Sequence, residues 1–167
     1  MNRQSDIVVE NVFLDPGYVM VPQKQTMLCA VVTSTIAVTL FDRRRKRGGM
    51  NLYQFPRRRP GGPSTPKFAC PGIVCLSRML LSQGGSPEDL EASIFGGADN
   101  PDAAGYVPDL HEENIRVGLE VLHKLGITDI KNNTGGTRAR KLMFDSGTGE
   151  TVVAETHRVR SSDWYPA

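Results

Sequence analysis

The sequence predicts a single domain of the mixed α/β class, with strands at both ends of the chain and two helices between them. Its 167 residues are a normal length for one domain. Apolar residues recur with a period of two over residues 27–41 and at helical spacing over residues 73–81 and 112–125. The order strands, helix, strand, helix, strands is typical of an α+β fold and differs from strict βαβ alternation.

Strands are predicted throughout the first part of the chain. The first is expected at Ile7–Val12 and a short second one at Tyr18–Val21. Residues 27–41 contain the segment VVTSTIAVTLFD, and one parity of this stretch is almost entirely apolar, which predicts one long, half-buried strand. A basic loop at Asp42–Gly49 then leads to a return strand at Met50–Phe55.

A proline- and glycine-rich loop, RRRPGGPSTP at residues 57–66, separates these strands from the predicted helices. The first helix is expected at Ile73–Leu81 and the second at Glu112–Leu125. The other predicted elements are a brief strand in EASIFGGA (91–98), a polar loop at 99–108, a strand at Ile127–Lys131 and a hairpin of Lys141–Phe144 with Thr151–Ala154.

The composition excludes several classes of protein. Three cysteines are an odd number, which argues against a disulfide framework and favours a reducing compartment. Neither they nor the three histidines have metal-ligand spacing, so we expect no metal and no cofactor. The N-terminus does not read as a signal peptide, and the longest apolar segment falls short of the ~20 residues that span a bilayer. We therefore expect a soluble, cytoplasmic protein without membrane insertion.

Basic residues are concentrated in two runs that together hold eight of the 20 lysines and arginines. These runs are Arg43, Arg44, Arg45, Lys46 and Arg47, and Arg57, Arg58 and Arg59. Two interpretations stay open: solvated loops without a partner, or a docking patch for an acidic protein surface. Nucleic acid is not expected, because no aromatic residues alternate with the arginines and the net charge is only +2. With Phe95, the arginines of these runs form the predicted partner-binding set.

Several short motifs occur in a characteristic order. They are LDPG (14–17), VVTSTIAVTLFD (31–42), GGM (48–50), Pro56, ASIFGGA (92–98), Asn114, TGGTRARKLMF (134–144) and TG (148–149). In this order and spacing the chain resembles the CheD family of chemoreceptor glutamine deamidases, over about residues 12–153. The resemblance implies one domain over residues 1–167, with sandwich-like sheets, helices on one side and a polar tail at 154–167.

The resemblance also implies a chemistry and its partners. In that family a cysteine thiolate attacks the glutamine carboxamide, a histidine transfers the protons, and a threonine orients the pair. A thiol needs a nearby base to become a thiolate, and the leaving amine needs a proton. The implied partners are the cytoplasmic region of a chemoreceptor and a CheC-like phosphatase.

This sequence departs from the family at all three catalytic positions. The cysteine position falls on Thr35, the histidine position on Leu52, and the threonine position on Cys29, or on Ala30 with a shift of one residue. Leucine cannot transfer protons, and the loss of a general base alone costs about 100-fold to 10,000-fold in rate. The leading hypothesis is a non-enzymatic CheD-like binding protein of a chemosensory pathway.

Two alternatives stay open. Cys29 and Thr35 are six residues apart and would share one face of an unbroken strand, so Cys29 could be a relocated nucleophile of an active deamidase. The extended distance of ~20 Å between them argues against this, and favours a buried structural thiol. The other alternative is a fold reused outside chemotaxis.

Overall fold

Two stacked β-sheets form the centre of the fold, and two helices cover the outer face of the larger sheet. The computed structural model describes residues 8–157. The strands are β1 (Glu10–Phe13), β2 (Val19–Met20), β3 (Thr26–Val32), β4 (Ile36–Asp42), β5 (Arg47–Tyr53), β6 (Leu90–Gly96), β7 (Asp129–Thr134), β8 (Ala139–Asp145) and β9 (Thr151–Thr156). The helices are α1 (Ala69–Leu81) and α2 (Leu110–Lys124).

The smaller sheet has the strand order β1-β3-β8-β9, and the larger one has the order β2-β5-β4-β6-β7. Most neighbouring strands are antiparallel, whereas β1 with β3 and β6 with β7 are parallel. The predicted fold class, a mixed α/β domain with helices on one side, is confirmed. Between residues 8 and 157, neither helix has the length and apolar character needed to cross a bilayer.

The hydrophobic core has two layers, because the larger sheet is covered on both faces. One layer lies between the sheets and includes Leu28, Ala37, Leu52, Phe95 and Phe144. The other lies between the larger sheet and the helices, where the apolar stripes of α1 and α2 meet the opposite faces of β4 and β6. All seven residues of β4 are buried as a result.

The prediction of one long strand over residues 27–41 is wrong. The chain bends at Thr33, Ser34 and Thr35, so β3 belongs to the smaller sheet and β4 to the larger one. The period of two continues across the bend because both strands are buried on both faces, and such strands lack the polar positions that would mark an end.

Other predicted boundaries shift by a few residues. The strand β5 begins at Arg47 instead of Met50, so the predicted basic loop shrinks to a turn. Both helices begin before the predicted residue, α1 at Ala69 and α2 at Leu110. The predicted hairpin is confirmed by β8 and β9. Ile7 and residues 158–167, which include most of the predicted tail, lie outside the described residues.

Candidate functional site

The candidate site is the bend between β3 and β4, which we call the crossing and define as residues Thr33, Ser34 and Thr35. Its backbone carbonyls are held by the chain that follows β6 and by helix α2. The amide of Ala98 donates to the Thr33 carbonyl at 2.8 Å, and that of Gly97 to the Thr35 carbonyl at 3.2 Å. The three side chains of the crossing are partly exposed.

Asn114 of helix α2 supports the crossing from the side of the helices. Its side chain is fully buried, and Nδ2 donates to the carbonyls of Ser34 at 2.9 Å and Gln54 at 3.1 Å. The Tyr53 hydroxyl donates to the Asn114 carbonyl at 2.5 Å. Burial raises the pKa of Tyr53, so this hydroxyl stays a donor. The start of α2 is therefore fixed to the ends of β3 and β5.

Arg140 of strand β8 supports the same region from the smaller sheet. Its side chain is 5% exposed, and its Nε donates to Oδ1 of Asn133 at 2.9 Å while Nη2 donates to the Gly135 carbonyl at 2.9 Å. A longer contact of 3.4 Å joins Nη1 to the Gly96 carbonyl. Burial lowers the pKa of Arg140, an effect that the charge of Glu155 partly offsets.

Gly96 allows the crossing and the end of β6 to approach closely. It has a φ of 111°, and a Cβ at this position would lie 2.1 Å from the Thr35 carbonyl oxygen. Any larger residue would have to move the backbone of the crossing. Steric contact with the crossing therefore explains why position 96 is a glycine.

Thr35 and Leu52, the residues predicted at the nucleophile and base positions, lie close together. Leu52 is directly opposite Ala37 in the β4–β5 pairing, and Thr35 precedes Ala37 by two residues. Leu52 is fully buried and belongs to the core between the sheets, whereas Thr35 is partly exposed. A hydroxyl beside an aliphatic side chain offers neither a thiolate nor a proton acceptor.

Cys29 is separated from Thr35 by the bend. The side chains of Leu28 and Ala30 point into the core between the sheets, so Cys29 points to the opposite face of the smaller sheet. It is 3% exposed, and the acceptor described for its Sγ is the Met27 carbonyl at 3.8 Å. Burial raises the pKa of the thiol, although Lys141 acts in the opposite direction. The unbroken strand on which Cys29 and Thr35 would share a face is absent.

One ionisable cluster near the crossing was missed by the sequence analysis. His111, in the first turn of α2, has its Nδ1 3.8 Å from Oδ1 of Asp99, to which the Tyr106 hydroxyl donates at 2.8 Å. Asp99 follows directly after Ala98, which is bonded to the crossing. Residues so far apart in sequence give no spacing signal. Within residues 8–157, no hydrogen bond joins His111 to a hydroxyl of the crossing, and no cluster of His, Cys, Asp and Glu could hold a metal ion.

The first basic run is largely engaged within the protein. Arg43 pairs with Asp129 on β7, and Arg45 lies 3.5 Å from the buried carboxylate of Asp42. Arg47 donates to the side chain of Gln83. Among the arginines of this run, Arg44 is the most exposed, and it lies 4.0 Å from Asp89.

The second basic run is more exposed. Arg57 lies 3.7 Å from Glu120, and Arg58 donates to the Gly62 carbonyl within its own loop. For Arg59, no ion pair is found in the described part of the chain. The prediction that Phe95 belongs to the partner-binding set needs correction. Phe95 is only 5% exposed and packs between the sheets.

The sequence model of the family described as CheD chemotactic sensory transduction matches residues 55–155 of this chain. The chain belongs to the CheD family. Its curated relatives match it over most of their length, so the CheD assignment covers strands outside that segment as well. A probable chemoreceptor glutamine deamidase CheD from Trichlorobacter lovleyi is 30% identical, over 92% of this chain and 95% of that protein.

Other CheD relatives are similarly distant. A probable chemoreceptor glutamine deamidase CheD 2 from Geobacter sulfurreducens is 28% identical over 90% of this chain and 93% of its own. A CheD 1 from Methanosarcina acetivorans, with the same description, is 32% identical over 83% of this chain and 92% of its own. The predicted resemblance to the family is confirmed. A solved structure, the hypothetical protein YfiH of Bacillus licheniformis, is similar with a TM-score of 0.39 and 17% identity, over 64% of this chain and 46% of its own.

Proposed function

We propose that this chain is a CheD-like chemotaxis protein that binds its partners without deamidating them. The observation that carries the proposal is the contrast at the crossing. The hydrogen bonds of Asn114 and Arg140 to its surroundings are intact, whereas Thr35 and Leu52 provide no thiol and no imidazole. A retained framework around side chains without acid–base chemistry favours recognition over catalysis.

The proposed partner is the cytoplasmic region of a chemoreceptor, and a CheC-like phosphatase is the second candidate. The relatives named above are described as chemoreceptor glutamine deamidases, which supports a chemoreceptor as the protein that this surface contacts. The partly exposed side chains of the crossing would lie in that contact. The first basic run would contribute little, because most of its arginines are engaged within the chain.

The competing hypothesis is an active deamidase that uses Cys29 as its nucleophile. Two properties of Cys29 argue against it. Its thiol is buried on the outer face of the smaller sheet, and burial raises its pKa, so little thiolate would form near neutral pH. Helix α2, which carries His111 and His123, packs on the larger sheet, whereas Cys29 belongs to the smaller one.

Two measurements on one set of proteins test the proposal. Glutamine-containing chemoreceptor cytoplasmic fragments and a CheC-like phosphatase would be titrated with this chain by calorimetry, and the fragments would then be analysed for glutamine-to-glutamate conversion by mass spectrometry. The Trichlorobacter lovleyi relative serves as the control for deamidation. We expect binding without conversion. Conversion that Cys29→Ala abolishes would establish the competing hypothesis, and absence of binding to both partners would contradict the proposed role.

A further inference from the structure

A groove with an apolar floor runs between α1, α2 and the loop that carries the second basic run. Its largest part is a cavity of about 530 Å³, whose apolar lining includes Phe68, Val74, Val121 and Leu125. Two further cavities share lining residues with it: one of about 430 Å³ on the side of Phe55 and one of about 510 Å³ along α1. The three cavities adjoin one another at these shared residues, and together they are called the groove.

Aromatic side chains form one end of this groove. Phe55 is 36% exposed, and its ring centre lies 6.0 Å from that of Phe68. Exposed aromatic rings in a concave surface are typical anchors for a protein partner. The groove therefore presents apolar area that residues 8–157 leave accessible.

The charged side chains along the groove are almost all cationic. Among residues 8–157, five basic residues line it, and the single carboxylate is that of Glu120. The basic residues are Arg57, Arg58, Arg59, Arg78 and Lys124. Glu120 is itself neutralised, because it lies 2.5 Å from Arg116 and 3.7 Å from Arg57. Within residues 8–157, no carboxylate is paired with Arg58, Arg59 or Lys124, so the rim keeps its positive charge.

We propose that this groove docks an amphipathic helix of a partner protein, with an apolar stripe flanked by glutamate or aspartate. A groove between two helices accepts a helix whose apolar side chains enter it at positions i, i+3, i+4 and i+7. The cationic rim selects for acidic flanks, since opposite charges across a partly desolvated rim raise both the rate and the specificity of docking. The inference rests on the proposed binding role and adds a second surface, separate from the crossing.

The test uses a synthetic helical peptide of about 20 residues, with leucines on one face and glutamates beside them, and follows its binding by fluorescence anisotropy. Replacing Arg57, Arg58 and Arg59 by serine should weaken binding about tenfold or more. Phe55→Ser, which leaves the charge unchanged, should weaken it about fivefold through lost apolar contact. The same peptide with lysine in place of glutamate should not bind.

The first basic run provides the matched control. Arg43→Ser, Arg44→Ser and Lys46→Asn remove the same charge, and asparagine suits the positive φ of 54° at position 46. This variant should bind the acidic peptide within about twofold of the unaltered protein, because the charges removed lie outside the groove. Circular dichroism would verify that all variants are folded.

Three results would overturn the inference: no binding of the acidic peptide, equal losses in both triple variants, or no loss in Phe55→Ser. The receptor titration separates this inference from the proposed function. A receptor fragment that binds the groove variant as tightly as the unaltered protein would reject the groove and keep the receptor role. If the acidic peptide binds the groove while the receptor fragment and the phosphatase do not bind, the groove is kept and the proposed function is rejected.

Discussion

The residues that support the crossing and the residues predicted to carry the chemistry differ in how they are held. Asn114 and Arg140 are buried, and their side chains satisfy several backbone carbonyls. Thr35 is partly exposed, and no side-chain hydrogen bond to it is found in the described part of the chain. Leu52 contributes only apolar packing.

This difference shows that the framework and the chemistry of the site are separable. A buried carbonyl that loses its donor costs folding free energy, so the side chains of Asn114 and Arg140 are constrained by stability itself. A nucleophile or base contributes to the rate of a reaction and need not contribute to folding. A substitution at a nucleophile or base position therefore need not disturb the fold.

The largest effect is expected for Asn114→Ala. The substitution removes both Nδ2 hydrogen bonds and leaves the partly buried carbonyls of Ser34 and Gln54 without this donor. We expect a loss of about 2–4 kcal/mol in the free energy of unfolding, measured by urea denaturation. Asn132→Ala, at an exposed position of β7, is the control and should change stability by less than about 0.5 kcal/mol. Equal effects would mean that the framework does not depend on Asn114.

A somewhat smaller effect is expected for Arg140→Met. The methionine keeps much of the apolar stem and removes the donors to Asn133 and Gly135, so unfolding should become easier by about 2 kcal/mol. Arg140→Lys should restore less than half of this loss, because one ammonium cannot reproduce the planar fork of donors. The exposed Arg138→Ala serves as a control for charge removal. A variant at position 140 with unchanged stability would refute this role.

Placing a cysteine at position 35 and a histidine at position 52 tests the other half of the comparison. Leu52→His places a polar ring in the core between the sheets and should destabilise the protein by about 1–2 kcal/mol, whereas Thr35→Cys should be nearly neutral. Each single variant should lack activity, because the thiol needs the imidazole. The double variant should convert glutamine to glutamate at about 100 times the background rate, by mass spectrometry. An inactive but folded double variant would contradict the assignment of these two positions.

The smallest effect on stability is expected at Cys29. In the folded protein an alkylating reagent should modify the exposed Cys70 well before Cys29, as measured by peptide mass spectrometry. The folded-state pKa of Cys29 is raised, so folding opposes formation of its thiolate, and stability should fall slightly as pH rises above about 8.5. Cys29→Ala should remove that fall. Rapid labelling of Cys29 at neutral pH would return it to the list of candidate nucleophiles.

The sequence predicted the elements of the fold better than their connections. Helical spacing located α1 and α2, and period-two alternation located the residues of β3 and β4. The alternation could not locate the bend at Thr33–Thr35, because the backbone amides that stabilise this bend belong to Gly97 and Ala98, which are distant in sequence. A local pattern carries no information about such partners.

The candidate site shows the same limit. Family motifs pointed to Asn114 and Arg140, but their roles depend on carbonyls in other elements. Counting charges treated the two basic runs alike, although Arg43 is paired with Asp129 while Arg59 is left on a groove rim. The pair of His111 and Asp99 arises only because α2 begins beside the chain that follows β6.

Between residues 8 and 157 the chain passes from one sheet to the other four times, and the crossing is the shortest of these links, with three residues. Because this link is so short, β3 cannot separate from its sheet unless β4 moves with it. Both sheets should then exchange their amide protons through the same global opening, and not as independent units. The mechanical coupling of the two layers would thus reside in the very residues where relatives of this protein are expected to keep their nucleophile.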